Sequence, residues 1–228
     1  QHDDFANFSI NAHANGIHNP TARFKSPITV DVYKKSPIVA DPITVMDASP
    51  TGDGAAAAVL VPADALRRNG HGKIIQVAGS SAATDSIAIH GRSDPTWLIA
   101  AERSAKQAYS QAGCTPEDID LFELHDAFTI MAALSLEACG FAERGQGVRL
   151  ALDEEIRPGG KIPIATRGGL KARGHPVGAT GMYQIIEVVQ QLRGEAGENQ
   201  IPDAQIGMSQ NIGGSGSNII AHIFKSIS

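Results

Sequence analysis

The sequence predicts a layered α/β domain, a mixed sheet with helices on both faces, and three observations carry that prediction. Strand-like and helix-like runs alternate along the chain in the order β, α, β, α, β, α, α, β, β. Glycine or proline punctuates almost every junction, with 24 Gly and 12 Pro in 228 residues. No internal repeat or low-complexity tract competes with that reading.

Residues 1–42 are polar and mixed, with Asn19-Pro20, Ser26-Pro27 and Ser36-Pro37, which predicts a helix leading into a loop or linker region. The main domain is expected from residue 43 to 228. Ala55 to Val61 (AAAAVLV) reads as a buried strand, followed by a short helix from Pro62 to Asn69 closed by Gly70 and a second strand from Lys73 to Ala78. Asp94, with Pro95 after it, is placed to cap a helix on which Trp97, Ala101, Ala105, Ala108 and Ala112 recur at helical spacing until Gly113. A row of alanines implies close packing.

Asp120 to Leu124 is strand-like and runs into a helix from about Asp126, its expected cap, to Cys139, with Phe128, Met131, Ala132 and Ser135 on one face. After a Gly-rich passage from Arg144 to Gly160, GGLKARGHPVGATG predicts a strand, a turn and a helix. The apolar stripe of that helix is Met182, Ile185, Ile186, Val189 and Leu192, and its stop is Gly194. Ala204 to Met208 and Asn218 to Phe224 read as two closing strands around the turn NIGGSG.

Composition narrows function. The net charge of −5, with no run of Lys or Arg, offers no footprint for nucleic acid or an anionic membrane. No apolar run reaches membrane-spanning length. Two cysteines, Cys114 and Cys139, make neither a disulfide framework nor a metal motif, so a reducing, cytoplasmic setting is expected, with no metal. The opening QHDDFANFSINAHANG reads as helix midstream with no cationic and apolar leader, so a fragment of a longer protein is expected.

Polar loops at element junctions are where ligands meet free backbone amides in α/β sheets. Four stand out: Ala48–Gly54, Glu123–Phe128, Gly168–Gly181 and Gln210–Gly216. His175, between Gly174 and Pro176, can activate a nucleophile and then stabilise an oxyanion, or it can simply tie its turn to a carbonyl. His125, at a strand end, is either a reacting imidazole or a structural one. The amides around Gly213 can bind an oxyanion, or form a plain hairpin loop. Lys171 and Arg173 read as surface charges or as a phosphate contact. The other histidines show no metal-ligand spacing.

ELHDAF, then GGLKARGHPVGATG about 45 residues further on, then NIGGSG before a terminal strand resembles the C-terminal half of the thiolases. The branch is the one with archaeal and sterol-carrier-protein thiolases. SPIVADPITVMDASPTGDGAAAAVL extends the resemblance over essentially the whole chain. It implies a five-layer αβαβα arrangement of two similar halves, a homodimer or homotetramer, and Claisen condensation or thiolysis of CoA thioesters, with coenzyme A as substrate and no cofactor. It also implies a nucleophilic Cys supplied by an N-terminal half. By the same resemblance His175 is the GHP base, His125 stands where relatives carry the Asn of NEAF or the His of HDCF, and the Gly213 amide serves a second oxyanion hole. Ser49 and Gly174 then lie on the CoA side. Two departures matter. Asn211 stands where many thiolases carry the Cys of CxG, and Ala127 where the sterol-carrier branch carries the Cys of HDCF. They leave open an acetyl-CoA acetyltransferase-like enzyme, an aldolase cleaving β-hydroxyacyl-CoA side chains, or an acyl-CoA-binding subunit beside a small OB-fold partner.

Overall fold

The computed structural model describes residues 1–62, 64–65 and 73–227. Its first elements are a helix α1 (Ala6–Gly16), a short helix α2 (Val30–Lys34) and a small antiparallel pair, β1 (Ile38–Ala40) with β2 (Ile43–Thr44). There follow β3 (Ile74–Thr84), α3 (Ile99–Ala112), β4 (Leu121–Glu123), α4 (Thr129–Ala138), α5 (Gly147–Leu152), α6 (Thr180–Arg193), β5 (Ile206–Gly213) and β6 (Asn218–Ile227). The main sheet runs β3-β6-β5-β4. Its pairs are antiparallel except β4 with β5, which is parallel in the register Leu121–Gly207 to Glu123–Ser209. A bridge from Phe122 to Ile164 extends the sheet past β4.

Alternation along the strands sends apolar side chains into a core on each face of the sheet, although Ala82 of β3 and its partner Ile220 of β6 stay exposed on the face opposite α3. Phe122, Met208, Ile212, Ile219, Ala221 and Ile223 join the larger core with α3 and α4, whereas Leu121 and Phe224 join the smaller one under Val188 and Leu192 of α6. The alanine face of α3 does pack closely. A Cβ on Gly79 of β3 would sit 2.3 Å from the Ala108 carbonyl oxygen, and the strand bulges between Val77 and Gly79 where the helix presses on it. Among the described residues, no helix is long and apolar enough to cross a membrane.

Several boundaries move for identifiable reasons. Asp94 spends its carboxylate on the amide and hydroxyl of Thr96, so α3 begins at Ile99, although Gly113 ends it in the left-handed region as expected. The last strands are longer than expected. Asn211, Ile212 and Gly213 belong to β5, and the hairpin turn is confined to residues 214–217. Among the described residues no strand leads directly into the GHP loop; Gly169–Arg173 forms a single wide turn in which the Arg173 amide reaches the Gly168 carbonyl. The helix expected from Pro62 to Asn69 lies mostly outside the described residues. The largest departure is Ala55 to Val61. This run pairs with no described strand, and Val59 and Leu60 are 88% and 81% exposed. Apolarity predicts burial, but burial needs a surface on both sides. Among the described residues the run borders the groove formed by Ile75 and Val77 of β3, Ile185, Ile186 and Val189 of α6, and Phe224, and its start borders Pro176, Val177 and Met182, yet neither surface encloses Val59 or Leu60.

The N-terminal residues build the floor beneath the GHP loop. On α1, Asn11 and Asn15 donate to the carbonyls of Ile164 and Ala165 at 3.1 and 3.0 Å, and Asn19 just beyond it donates to Arg167 at 2.8 Å. The chain then pairs Arg23 and Phe24 with the carbonyls of Arg173 and Ala172. Asp47, fully buried, accepts from Thr44, Tyr33, Thr129 and the His2 ring, tying four segments to one carboxylate. Burial alone would raise its pKa; the bonds from Thr129, Tyr33, His2 and Thr44 win, and hold it well below the usual carboxylate range.

Candidate functional site

Three loops distant in sequence meet at one end of the sheet. Segment 48–51 is the seam: the Ser49 amide donates to the Ala127 carbonyl at 2.8 Å and Ala48 bridges to Phe128, while the His175 amide donates to Pro50 at 3.0 Å and Thr51 bridges to His175. His125 leaves the end of β4, and His175 precedes α6. Their rings stand edge to face with centroids 5.1 Å apart. Of the residues singled out in the sequence, His125, His175, Asn211 and Ser49 are thus gathered around this seam, and Gly174 adjoins His175 with φ of +112°, which a side chain would resist. Gly213 lies two residues past Asn211 on β5, and so on the same face of the strand.

The His175 ring is set by the first turn of α6. Thr180 donates its hydroxyl proton back to the Pro176 carbonyl at 3.1 Å, which leaves its oxygen to accept from His175 Nδ1 at 2.6 Å. The proton of neutral His175 therefore sits on Nδ1, and Nε2 keeps a lone pair. Burial lowers its pKa, with Arg173 adding to the effect and Asp126 opposing it.

His125 is more deeply held, 6% exposed, with Asn211 Nδ2 3.2 Å from its Nδ1. Burial first, then the His175 and Arg173 charges, depress its pKa to about 3, so the ring is neutral at physiological pH. The sign has a measurable consequence. As pH falls below about 6.5 the unfolded chain protonates this His and the folded one does not, so folding stability drops by up to about 1.4 kcal/mol per pH unit on its account. Glu123, whose pKa burial and Glu187 raise to about 8, acts in the opposite sense between that pH and its ordinary range. The comparison of wild type with His125→Asn isolates the histidine: the variant should lose stability less steeply between pH 6.5 and 4.5 in denaturant titrations. Parallel slopes would show that His125 is not held neutral.

Asp126 does not cap α4, which starts at Thr129. Its carboxylate instead accepts the Leu170 amide at 2.7 Å and packs onto Gly169, where a Cβ would lie 2.5 Å from Oδ2. This bond fastens the HDAF loop to the GHP loop. Lys171 and Arg173 are not surface charges either. Lys171 is 2% exposed and donates to the Asp47 carbonyl, its pKa lowered by burial to about 8; Arg173 is 6% exposed, pairs with buried Glu187 and lies over Tyr183. Both support the loop from beneath.

A pocket of about 510 Å³ opens beside the seam, lined by Ser49 and Pro50, Phe24, Val39, Met46 and Lys171. Neither catalytic-candidate ring lines it, but Pro50, which holds the His175 amide, does. Neither cysteine is near activation. Cys139 is 2% exposed, takes the Gln210 amide on its sulfur at 3.3 Å and has its thiol pushed up by burial, and Cys114 is raised for the same reason. No cluster of metal ligands occurs among the described residues. Thr180, Gln184, Glu123 and Asp126 escape the motif-based reading. The signal for two of them was present as a polar stripe: Thr180, Gln184, Glu187 and Gln191 recur at helical spacing on α6, and all four are buried.

Comparison with known proteins places the chain in one family. The thiolase C-terminal domain-like family matches residues 81–226. An acetyl-CoA acetyltransferase of Methanothermobacter thermautotrophicus is 46% identical over 223 residues, covering 98% of this chain and 58% of that protein. Sterol carrier protein 2 of Homo sapiens is 34% identical over 222 residues, covering 96% of this chain and 41% of the relative. The chain therefore spans about half the length of these curated relatives. Among solved structures, an Ltp2-ChsH2(DUF35) aldolase shares the fold with a TM-score of 0.88 over 99% of this chain and 59% of that one, at 23% identity.

Proposed function

This chain belongs to the thiolase C-terminal domain-like family, and from that premise we propose that it supplies the base and the oxyanion-binding groups of an acyltransferase acting on CoA thioesters, of the acetyl-CoA C-acetyltransferase kind. The observation that carries the proposal is the pair of neutral histidines 5.1 Å apart, one with its Nε2 lone pair free, at a seam shared by three loops. The nucleophilic thiol comes from polypeptide outside these residues, an N-terminal thiolase half. His175 Nε2 takes the thiol proton, the thiolate attacks the thioester carbonyl, and the developing oxyanion is met by hydrogen-bond donors of this site, the Gly213 amide among those proposed. The CoA thiolate leaves and recovers the proton from His175. Ser49 and Gly174 flank the path of the CoA chain, and the pocket lined by Ser49 gives that chain an apolar wall. His125 serves the second half-reaction, where the enolate of the incoming acyl-CoA must be stabilised.

A second reading has its own support. Cys139 and Cys114 are both removed from the two histidines by burial or position, and Asn211 and Ala127 occupy the places where the resemblance puts a second thiol. Cleavage of a β-hydroxyacyl-CoA needs a base for the hydroxyl proton and a donor for the enolate oxygen, but no thiol.

One experiment separates the readings. In the full-length protein, His125→Ala should leave formation of the acyl-enzyme near the wild-type rate and lower carbon–carbon bond formation by about a hundredfold, followed by rapid quench. Equal losses in both half-reactions would contradict this division of labour. If cleavage of a β-hydroxyacyl-CoA survives alkylation of every accessible cysteine, the aldolase reading prevails.

A further inference from the structure

We propose that Gln184, acting through Asn211, locks His125 in the Nε2–H tautomer, making His125 a hydrogen-bond donor to a bound carbonyl or enolate oxygen and leaving His175 as the only base of the pair. The role given to the bound oxygen rests on the function proposed above; the tautomer itself does not.

The argument runs outward from two backbone carbonyls. Gln184 is 1% exposed on α6, and its Nε2 lies 2.9 Å from the Gln210 carbonyl oxygen and 3.2 Å from that of Glu123. Carbonyl oxygens only accept, so both hydrogens of the Gln184 amide are committed to them and the orientation of that amide is fixed. Its Oε1 then faces Asn211 at 3.0 Å. An amide oxygen also only accepts, so the Asn211 atom that meets it must be the NH₂ group. That same Nδ2 lies 3.2 Å from His125 Nδ1. Of its two hydrogens one goes to Gln184, which leaves the other for the ring nitrogen, and a nitrogen that accepts cannot carry a proton. Neutral His125 therefore bears its proton on Nε2.

The packing around the relay is tight enough to hold it. Gly181, three residues before Gln184 on α6, is where Asn211 rests: a Cβ there would lie 3.3 Å from Asn211 Cγ and 3.4 Å from Nδ2. Protonation of His125 would turn Nδ1 into a donor facing another donor, in the same direction as the depression of its pKa. His175 is locked in the opposite sense, since Thr180 accepts from its Nδ1. Two histidines with ordinary side-chain chemistry are thus divided into one acceptor and one donor, by Thr180 on one side and by Gln184 through Asn211 on the other. Gln184 is a positioning residue.

Long-range proton–nitrogen correlation spectra of full-length protein labelled with [¹⁵N]histidine read this directly. His125 should show a pyridine-type Nδ1 and a pyrrole-type Nε2, and His175 the reverse. A pyrrole-type Nδ1 at His125, or two averaged nitrogens, overturns the proposal. Gln184→Leu releases the Asn211 amide. The His125 nitrogens should then average while those of His175 keep their pattern, and kcat should fall about tenfold with KM unchanged. An unchanged His125 pattern in that variant removes Gln184 from the relay. Asn211→Asp should draw the proton to Nδ1 and reverse the His125 pattern. If the variants fail to fold, the wild-type spectrum decides alone. A correct tautomer in a protein that turns over no CoA thioester would sink the proposed function and leave the relay standing.

Discussion

Replacing His175 by alanine in the full-length protein is expected to lower turnover of its CoA-thioester substrate by about a hundredfold or more, the scale of a lost general base. The fold should survive the change. The loop is held through the His175 backbone amide on Pro50 at 3.0 Å, and Thr180 keeps its bond to the Pro176 carbonyl without the ring. Beneath it, Asp126 on the Leu170 amide and the buried pair of Arg173 with Glu187 are untouched. The loss should therefore appear in kcat/KM with little change in melting temperature, and added imidazole should recover part of it. His175→Asn is the companion variant. It keeps a group that can reach Thr180 but offers no basic nitrogen, so it should be as slow as His175→Ala. Full activity in either variant, correctly folded, would remove His175 from the mechanism.

The parts of this site that were legible in the sequence are those where backbone geometry dictates residue type. Gly174 adopts a φ that only glycine tolerates easily, Gly113 and Gly194 end helices in the left-handed region, and these positions punctuate the sequence at the right places. The residues that orient the histidines were hidden, because their role depends on what lies across from them. Asp126 before a helix is a natural cap, yet the Leu170 amide 44 positions away claims it. Lys171 and Arg173 look like surface charges until the N-terminal segment covers them. On α6, Ile185, Ile186 and Val189 of the apolar stripe are only half-buried along a groove, while the polar Gln184, Glu187 and Gln191 point inward. The buried polar face makes sense only once Gln210, Asn211 and Glu123 are in place to be bonded. Periodicity reports that a helix has two faces. It does not report which one the site requires.

The 228 residues by themselves are expected to show no sustained release of CoA from acetyl-CoA or acetoacetyl-CoA. A ping-pong acyl transfer needs a thiolate beside the His175 imidazole. Cys139 is enclosed at the end of α4 with its sulfur against the Gln210 amide, and Cys114 follows α3; burial raises both thiols, which keeps them protonated and poor nucleophiles at neutral pH. The same chain should also self-associate. Val59 and Leu60 stand 88% and 81% exposed in a run of seven apolar residues, next to the half-open groove of β3 and α6. A strand-like apolar run with one side covered is a ready template for pairing with another chain. Leu60→Ser together with Val59→Ser should therefore reduce association of the isolated chain in light scattering. Adding the proposed N-terminal half should do the same without mutation, by covering the run, and should restore a cysteine that traps acyl groups. Intact-mass measurement after incubation with acetyl-CoA tests the chemical half of the prediction. Stoichiometric acylation of Cys114 or Cys139 with continuing CoA release would show that the nucleophile lies within this chain after all. A chain that stays monomeric at high concentration would show that residues 55–61 are not the surface on which the rest of the protein is built.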